Sequence, residues 1–230
     1  MFYIVESEKT LKQLESLGQK GCFMEIVTSN DNFHPKLASL VAVYIRPLEE
    51  IRVIEDETGK VLSSDSKGYI IPVNHDEGLN VSKDRINTIL QHYSKIYVCN
   101  KKRVLYYFNN LGKNCIDITL RHSMLTFETE NSNVREKTYD WFYNRYGGVS
   151  NLNQIIPLPK IYERCESVYL QVKDLLSEPD PAGFDFYNEI ATKIFFLVEQ
   201  TGIRVDRHEF ITRFKPNNAD FSINGETVYT

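Results

Sequence analysis

Cys22-Phe23-Met24-Glu25-Ile26-Val27-Thr28 is the stretch on which the fold of this chain turns. The run is apolar throughout apart from one acid, Glu25, and it reads as a β-strand. Gly18 and Gly21 stand just before it and break a helix from Ser7 to Leu17, whose Leu11, Leu14 and Leu17 share one face. Phe2 to Glu6 reads as a shorter strand ahead of that helix. On the other side, Ser29 to Pro35 is a polar turn and Leu40 to Ile45 a second strand, closed by Arg46-Pro47. Ile51 to Glu55 is a candidate third strand, followed by a polar excursion to Lys67. Gly68-Tyr69-Ile70-Ile71-Pro72-Val73 is a strand again. Ser82 can cap a helix over Lys83 to Tyr93 with Ile86, Ile89 and Leu90 facing in. Lys95 to Cys99 is a short strand, Lys101 to Asn109 a helix and Cys115 to Ile118 another short strand. Strands in series, then strands alternating with helices, suit an α/β fold: a mixed sheet flanked by helices.

From Arg135 the strand signals stop. Arg135 to Tyr146 and Ile161 to Leu176 are helical in pattern, the second through Ile161, Cys165, Val168, Val172 and Leu175. Ser177-Glu178-Pro179-Asp180-Pro181-Ala182-Gly183 has the composition of a linker. Beyond it, Tyr187, Ile190, Ile194, Leu197 and Val198 recur at helical spacing, so a C-terminal helix is expected to pack that face inward. Gly202 supplies a left-handed stop. Ile203 and Val205 return to apolar contact, and Asp206 can cap a short helix over His208 to Phe214. The tail from Lys215 to Thr230 is polar, with a hairpin signal at Asn224-Gly225.

At 230 residues the chain can bury a sizeable core. Its 42% hydrophobic and 25% charged content are those of a soluble globular protein, and no apolar run reaches the ~20 residues of a membrane span. Cys22, Cys99, Cys115 and Cys165 lack metal-ligand spacing and read as buried free thiols of a reducing cytoplasm. The five histidines are scattered, which argues against zinc. The net charge of −4 is not that of a protein coated with DNA. Cations cluster locally instead, at Lys95, Lys101, Lys102 and Arg103 and again at Arg135, Lys137 and Arg145. Such patches suit weak contact with DNA, or equally a solvated helix face.

Several stretches carry a family resemblance. Phe23 to Thr28 lies where a D-x-E-T strand would stand, and Gly68 to His75 resembles a Y-I-P-V-x-H strand. Asn100-Lys101-Lys102-Arg103-Val104 takes the place of N-x-x-F-D, and Ile116-Asp117-Ile118 that of a following D-T segment. Tyr162-Glu163-Arg164-Cys165-Glu166 resembles Y-x-x-x-D, and Glu199 to Asp206 fits E-x-x-G-I-x-V-D. Together, over roughly residues 2 to 206, they resemble the 3′–5′ exonuclease region of family A DNA polymerases, closest in pattern to those of tailed bacteriophages. The resemblance implies a ribonuclease-H-like exonuclease fold over residues 1–176, a linker over 177–186 and a helical extension over 187–230. That extension would lead into a polymerase domain held by a longer chain or a separate subunit.

In that family, hydrolysis uses two divalent ions about 4 Å apart, held by converging carboxylates. The four family positions fall here on Glu25, Val27, Val104 and Glu166. Shifting the first motif by one residue offers Met24 and Ile26, which are no better supplied. Valine has no donor atom for a metal. Tyr162 matches the tyrosine that orients the attacking water, and Arg103 replaces the phenylalanine before the second-motif acid. Asp117 and Asp140 are given only capping or solvent roles. The resemblance therefore implies a degenerate hydrolytic site with no cofactor, acting as a scaffold or as a module that binds DNA or a partner during replication. Lys101, Lys102 and Arg103 would be its DNA contact. The partners would be primer-template or single-stranded DNA, the polymerase part and replisome proteins, in the cytoplasm of an infected bacterium, with no membrane. Two alternatives stand beside this one. The first is a working proofreading exonuclease with Mg²⁺ or Mn²⁺ on Glu25 and Glu166, joined by Asp117. The second is a stand-alone protein-interaction module of nuclease-like fold.

Overall fold

The computed structural model describes residues 3–5, 7–16, 21–29, 35–48, 53–55, 61–63, 68–77, 79–126, 156–202, 221–223 and 226–228. The helices expected over 135–146 and 208–214, Asp140, and the cations Arg135, Lys137 and Arg145 lie outside the described residues. In chain order the first elements are β1 (Tyr3–Ile4), α1 (Glu8–Ser16), β2 (Cys22–Thr28), β3 (Leu40–Pro47), β4 (Val53–Glu55), β5 (Val61–Ser63) and β6 (Tyr69–Pro72). They are followed by α2 (Lys83–Gln91), β7 (Ile96–Val98), α3 (Lys101–Leu105), β8 (Cys115–Asp117) and α4 (Ile118–Thr126). Then come α5 (Leu158–Val172), a 3-10 turn (Lys173–Ser177), a π-helical turn (Phe186–Ala191), α6 (Thr192–Thr201) and the strands β9 (Phe221–Ile223) and β10 (Glu226–Val228). Among the described residues, the polar excursion after Glu55 contains the strand β5, which pairs antiparallel with β4.

The main sheet has the order β1-β6-β3-β2-β7-β8. β2, β3 and β6 form an antiparallel meander, β7 and β8 run parallel to β2, and the two-residue β1 runs parallel to β6 at the far edge. β2 is therefore central, between β3 and β7. The entry to β2 needs Gly21: its φ is +107°, and a Cβ there would lie 2.9 Å from the carbonyl oxygen of Lys95.

Side chains alternate across the sheet, and the alternation sorts them into two cores. Met24, Ile26, Val43, Ile45 and Ile71 face α1, α2 and α3, where Leu11, Leu14, Ile86, Ile89, Leu90 and Val104 meet them. Phe23, Val27, Ala42, Tyr44 and Ile70 face α5, where Ile161, Cys165 and Val168 meet them. The helices thus lie on both faces of a mixed sheet, as an α/β fold requires.

The chain divides into two compact units, Met1–Phe196 and Leu197–Thr230. The break falls after the π turn; the segment 177–186, expected as a linker, lies within the first unit and is tied down there. Arg121 of α4 donates to Asp180 at 3.2 Å and to the carbonyl of Leu175 at 2.5 Å, His122 meets Glu178 at 2.8 Å, and Phe184 is buried in the α5-side core. Composition marks where a chain turns. It does not show that these two acids find Arg121 and His122 on α4.

The inward face expected for the C-terminal helix is also corrected. Tyr187, Ile190, Ile194, Leu197 and Val198 are all exposed, whereas Asn188 and Thr192 are buried. α6 does stop at Gly202, whose φ is +70° and whose N–H bonds to the carbonyl of Val198 at 2.9 Å. In the second unit, β9 and β10 pair antiparallel on either side of Asn224-Gly225. Among the described residues, no helix is long and apolar enough to cross a membrane.

Candidate functional site: a carboxylate position closed by an internal cation

The site is built where α5 crosses the middle of the sheet. Pro157, at the N-cap of α5, offers no side-chain oxygen to the first helical N–H groups. The loop after β6 supplies one instead: Glu77 Oε2 accepts the Leu158 N–H at 3.0 Å. His75 Nδ1 accepts the Glu77 N–H at 2.9 Å, so the imidazole proton sits on Nε2, which donates to the carbonyl of Ile156 at 2.9 Å. The Asn80 amide closes the loop on the His75 backbone with two bonds of 2.9 Å. At the other end of α5, Tyr169 packs on Phe23 with ring centroids 5.6 Å apart. The Arg46 guanidinium lies 4.2 Å from the Tyr169 ring centroid. α5 is thereby fixed along the length of β2.

This placement carries Tyr162 and Glu166 onto the sheet face that holds Glu25 and Val27. Tyr162 meets Tyr44 edge to face at 5.9 Å. Glu166 is taken up by two neighbours on β3. Arg46 pairs with one carboxylate oxygen, and the Tyr44 hydroxyl donates to the other at 2.5 Å. Both partners are buried. Burial holds the Tyr44 phenol well above its usual range, an effect that Arg46 only partly offsets. Gly68 leaves room for the Tyr44 ring: a Cβ at Gly68 would lie 2.4 Å from the hydroxyl oxygen. Tyr44 and Arg46 lie two apart on one strand face and form the constellation that the motif reading missed. Their alternation was legible in the sequence. Their partner, 122 residues from Tyr44, was not.

The remaining family positions diverge. Glu25 is 6% exposed on the central strand, opposite Tyr44 in the β2–β3 register. Val27 belongs to the α5-side core and Val104 to the core on the opposite face of the sheet, each 3% exposed. Two of the four positions therefore point to different sides of the molecule, each in a setting suited to a methyl group and hostile to a charge.

Asp117 has the capping role expected of it. Its Oδ1 accepts from the N–H groups of Thr119 and Leu120 at 3.2 and 3.1 Å and from the Thr119 hydroxyl at 2.8 Å. Its Oδ2 accepts the Lys101 N–H at 2.8 Å. The carboxylate thus serves the N-termini of α3 and α4 together and is saturated. Among the described residues, no three of His, Cys, Asp and Glu come together in a way that could hold a metal ion.

The three-cation surface at Lys101, Lys102 and Arg103 requires correction. Lys101 is fully buried: its ammonium donates to the carbonyl of Cys115 at 2.8 Å and pairs with Glu189. Arg103 is 9% exposed and donates to the Thr28 hydroxyl at 2.7 Å, at the end of β2. Lys102 is half-buried. Asn100, itself exposed, caps α3 through the Arg103 N–H at 2.9 Å, and the first residue of the helix, Lys101, turns inward. No protein-family model matches the chain, and no curated protein matches it.

Proposed function

We propose that this chain is the exonuclease-like N-terminal region of a family A DNA polymerase of the tailed-phage type. On this reading its hydrolytic site is degenerate, and it serves replication in the host cytoplasm as a scaffold for the polymerase part. The sheet supports the ribonuclease-H-like reading through an antiparallel meander of β2, β3 and β6 followed by β7 and β8 parallel to β2. The observation that carries the loss of hydrolysis is the fate of the four ligand positions. Val27 and Val104 sit in opposite cores, and Glu166 is neutralised by Arg46. A two-metal clamp needs several carboxylates that converge on both ions.

The scaffold role draws on the exposed face of Tyr187, Ile190 and Ile194, next to the break between the two units. Apolar surface of this kind marks an interaction site, and the polymerase part is the partner proposed for it. DNA contact does not run through Lys101 or Arg103, whose charges are used internally.

The test is nuclease activity on a 3′-mismatched primer-template with Mg²⁺ and then Mn²⁺, beside the Glu25→Ala, Glu166→Ala double variant. The expected result is no cleavage above the variant. Cleavage that the double variant abolishes would establish a proofreading exonuclease and overturn the proposal.

A further inference from the structure

β8 is the last strand of the sheet among the described residues, and it is only three residues long. An edge strand presents unpaired N–H and C=O groups to any strand that approaches. Toward the interior, the chain at β8 bonds β7, through the Ile96 N–H and the carbonyl of Asn114 at 2.7 Å. The backbone groups on the other side are those of Cys115 and Asp117, and a single side chain takes both. Asn188 Oδ1 accepts the Asp117 N–H at 3.0 Å, and Asn188 Nδ2 donates to the Cys115 carbonyl at 3.0 Å. One carboxamide thus makes the two bonds that a neighbouring strand would make.

Asn188 is delivered by a short strap with three anchors. Phe184 is sunk in the α5-side core at one end. Next to Asn188, Glu189 pairs with the buried Lys101, whose ammonium also reaches the Cys115 carbonyl. At the other end, Phe196 meets Tyr106 edge to face at 5.0 Å. Between the anchors the backbone is a π turn, with the Thr192 hydroxyl bonded to the Tyr187 carbonyl at 2.8 Å. π turns are uncommon and concentrate at functional positions.

We propose that residues 184–196 are a closing strap. It keeps the β8 edge shut against strand addition by a second copy of this chain, and Asn188 is the residue that shuts it. Released, two identical β8 edges can pair antiparallel about a twofold axis, which is the symmetry of a self-complementary contact. The proposal concerns the sheet edge and does not depend on how the ligand positions behave.

Hydrogen exchange on the unaltered chain is the first test. The Asp117 amide is expected to exchange together with the amides of 184–196, at least tenfold faster than the Ile96 amide. Equal rates at Asp117 and Ile96 would mean that the strap opens only with the whole fold, and would overturn the proposal. The second test is Asn188→Leu, which keeps the size and removes both bonds. Its Asp117 amide should exchange at least tenfold faster than in the unaltered chain, and sedimentation velocity should show a dimer that grows with concentration. A variant that exposes the Asp117 amide yet stays monomeric at every concentration would overturn the role against strand addition. If Asn188→Leu does not fold, the exchange pattern of the unaltered chain decides.

Discussion

The Tyr44 hydroxyl and Glu166 Oε2 lie 2.5 Å apart although 122 residues separate them in the chain. The bond joins β3 to α5 through a carboxylate that Arg46 neutralises from the same strand. Both cation and acid are largely withdrawn from water, so their worth lies in being paired.

Removing one member of that pair should therefore cost more than removing both. Arg46→Met is expected to destabilise the fold by about 3 kcal/mol, because Glu166 is left charged in a poorly solvated place. Arg46→Met with Glu166→Gln should recover a good part of that loss. Urea unfolding of the two single variants and the double variant gives the coupling directly. Additive losses would show that the pair is solvated and contributes little.

Gly68→Ala should be nearly as damaging as a core truncation. The new Cβ would lie 2.3 to 2.6 Å from atoms of the Tyr44 ring, and overpacking of this kind costs about 1–3 kcal/mol. Tyr44→Leu in the Gly68→Ala background removes the clash, so the two losses together should be smaller than their sum. Thermal melts of the single and double variants measure both effects.

Lys101→Met is expected to lower stability by about 3 kcal/mol, since it takes the buried cation from Glu189, which keeps Lys193 at 3.5 Å, and from the outer Cys115 carbonyl. Single-strand DNA binding, if the chain has any, should not change in a Lys101→Gln variant that remains folded. Fluorescence anisotropy with a labelled oligonucleotide checks this. A clear loss of binding would return Lys101 to the surface.

Stability should fall as the solution is made alkaline. Burial pushes the Cys115 thiol up to about 12 from an ordinary 9.0, and it raises Cys22 and Tyr44 as well. Above pH 9 the unfolded chain has lost the Cys115 proton while the folded chain keeps it. The unfolded state then binds fewer protons, and the stability of the fold declines with rising pH. The stabilisation is full below pH 9 and is lost through about pH 12, at up to about 1.4 kcal/mol per pH unit for each such group. Denaturation midpoints at pH 8 and pH 10.5 should differ accordingly, and Cys115→Val should flatten the slope by one group's share.

The parts of the fold that local chemistry dictates were legible in advance. β2 runs over Cys22–Thr28 as its apolar run implies, and Ser82 caps α2 through the Arg85 N–H at 3.3 Å. Asp117 caps because an acid before a helix start has N–H groups within reach. What stayed hidden depends on distant partners. Lys101 looks like a surface cation until Glu189, 88 residues on, is brought to it. Helical spacing from Tyr187 to Val198 shows that an apolar stripe exists. It does not show which side of the helix is held, and here two polar residues, Asn188 and Thr192, face inward. At the candidate site the motif order named Glu25, Val27, Val104 and Glu166 without showing that Val104 lies across the sheet from Val27, and the closing role of Tyr44 and Arg46 emerged only with the tertiary contacts.

The burial of Val27 and Val104 in opposite cores also limits how such a site could be built here. An aspartate introduced at either position would place a lone carboxylate among hydrocarbon. Because the two positions lie on opposite faces of the sheet, aspartates at both could not share an ion, and Arg46 would still occupy Glu166. On the proposed reading, a two-metal site could not be restored at these positions by point substitution; it would need a different pair of residues sharing one face of the sheet.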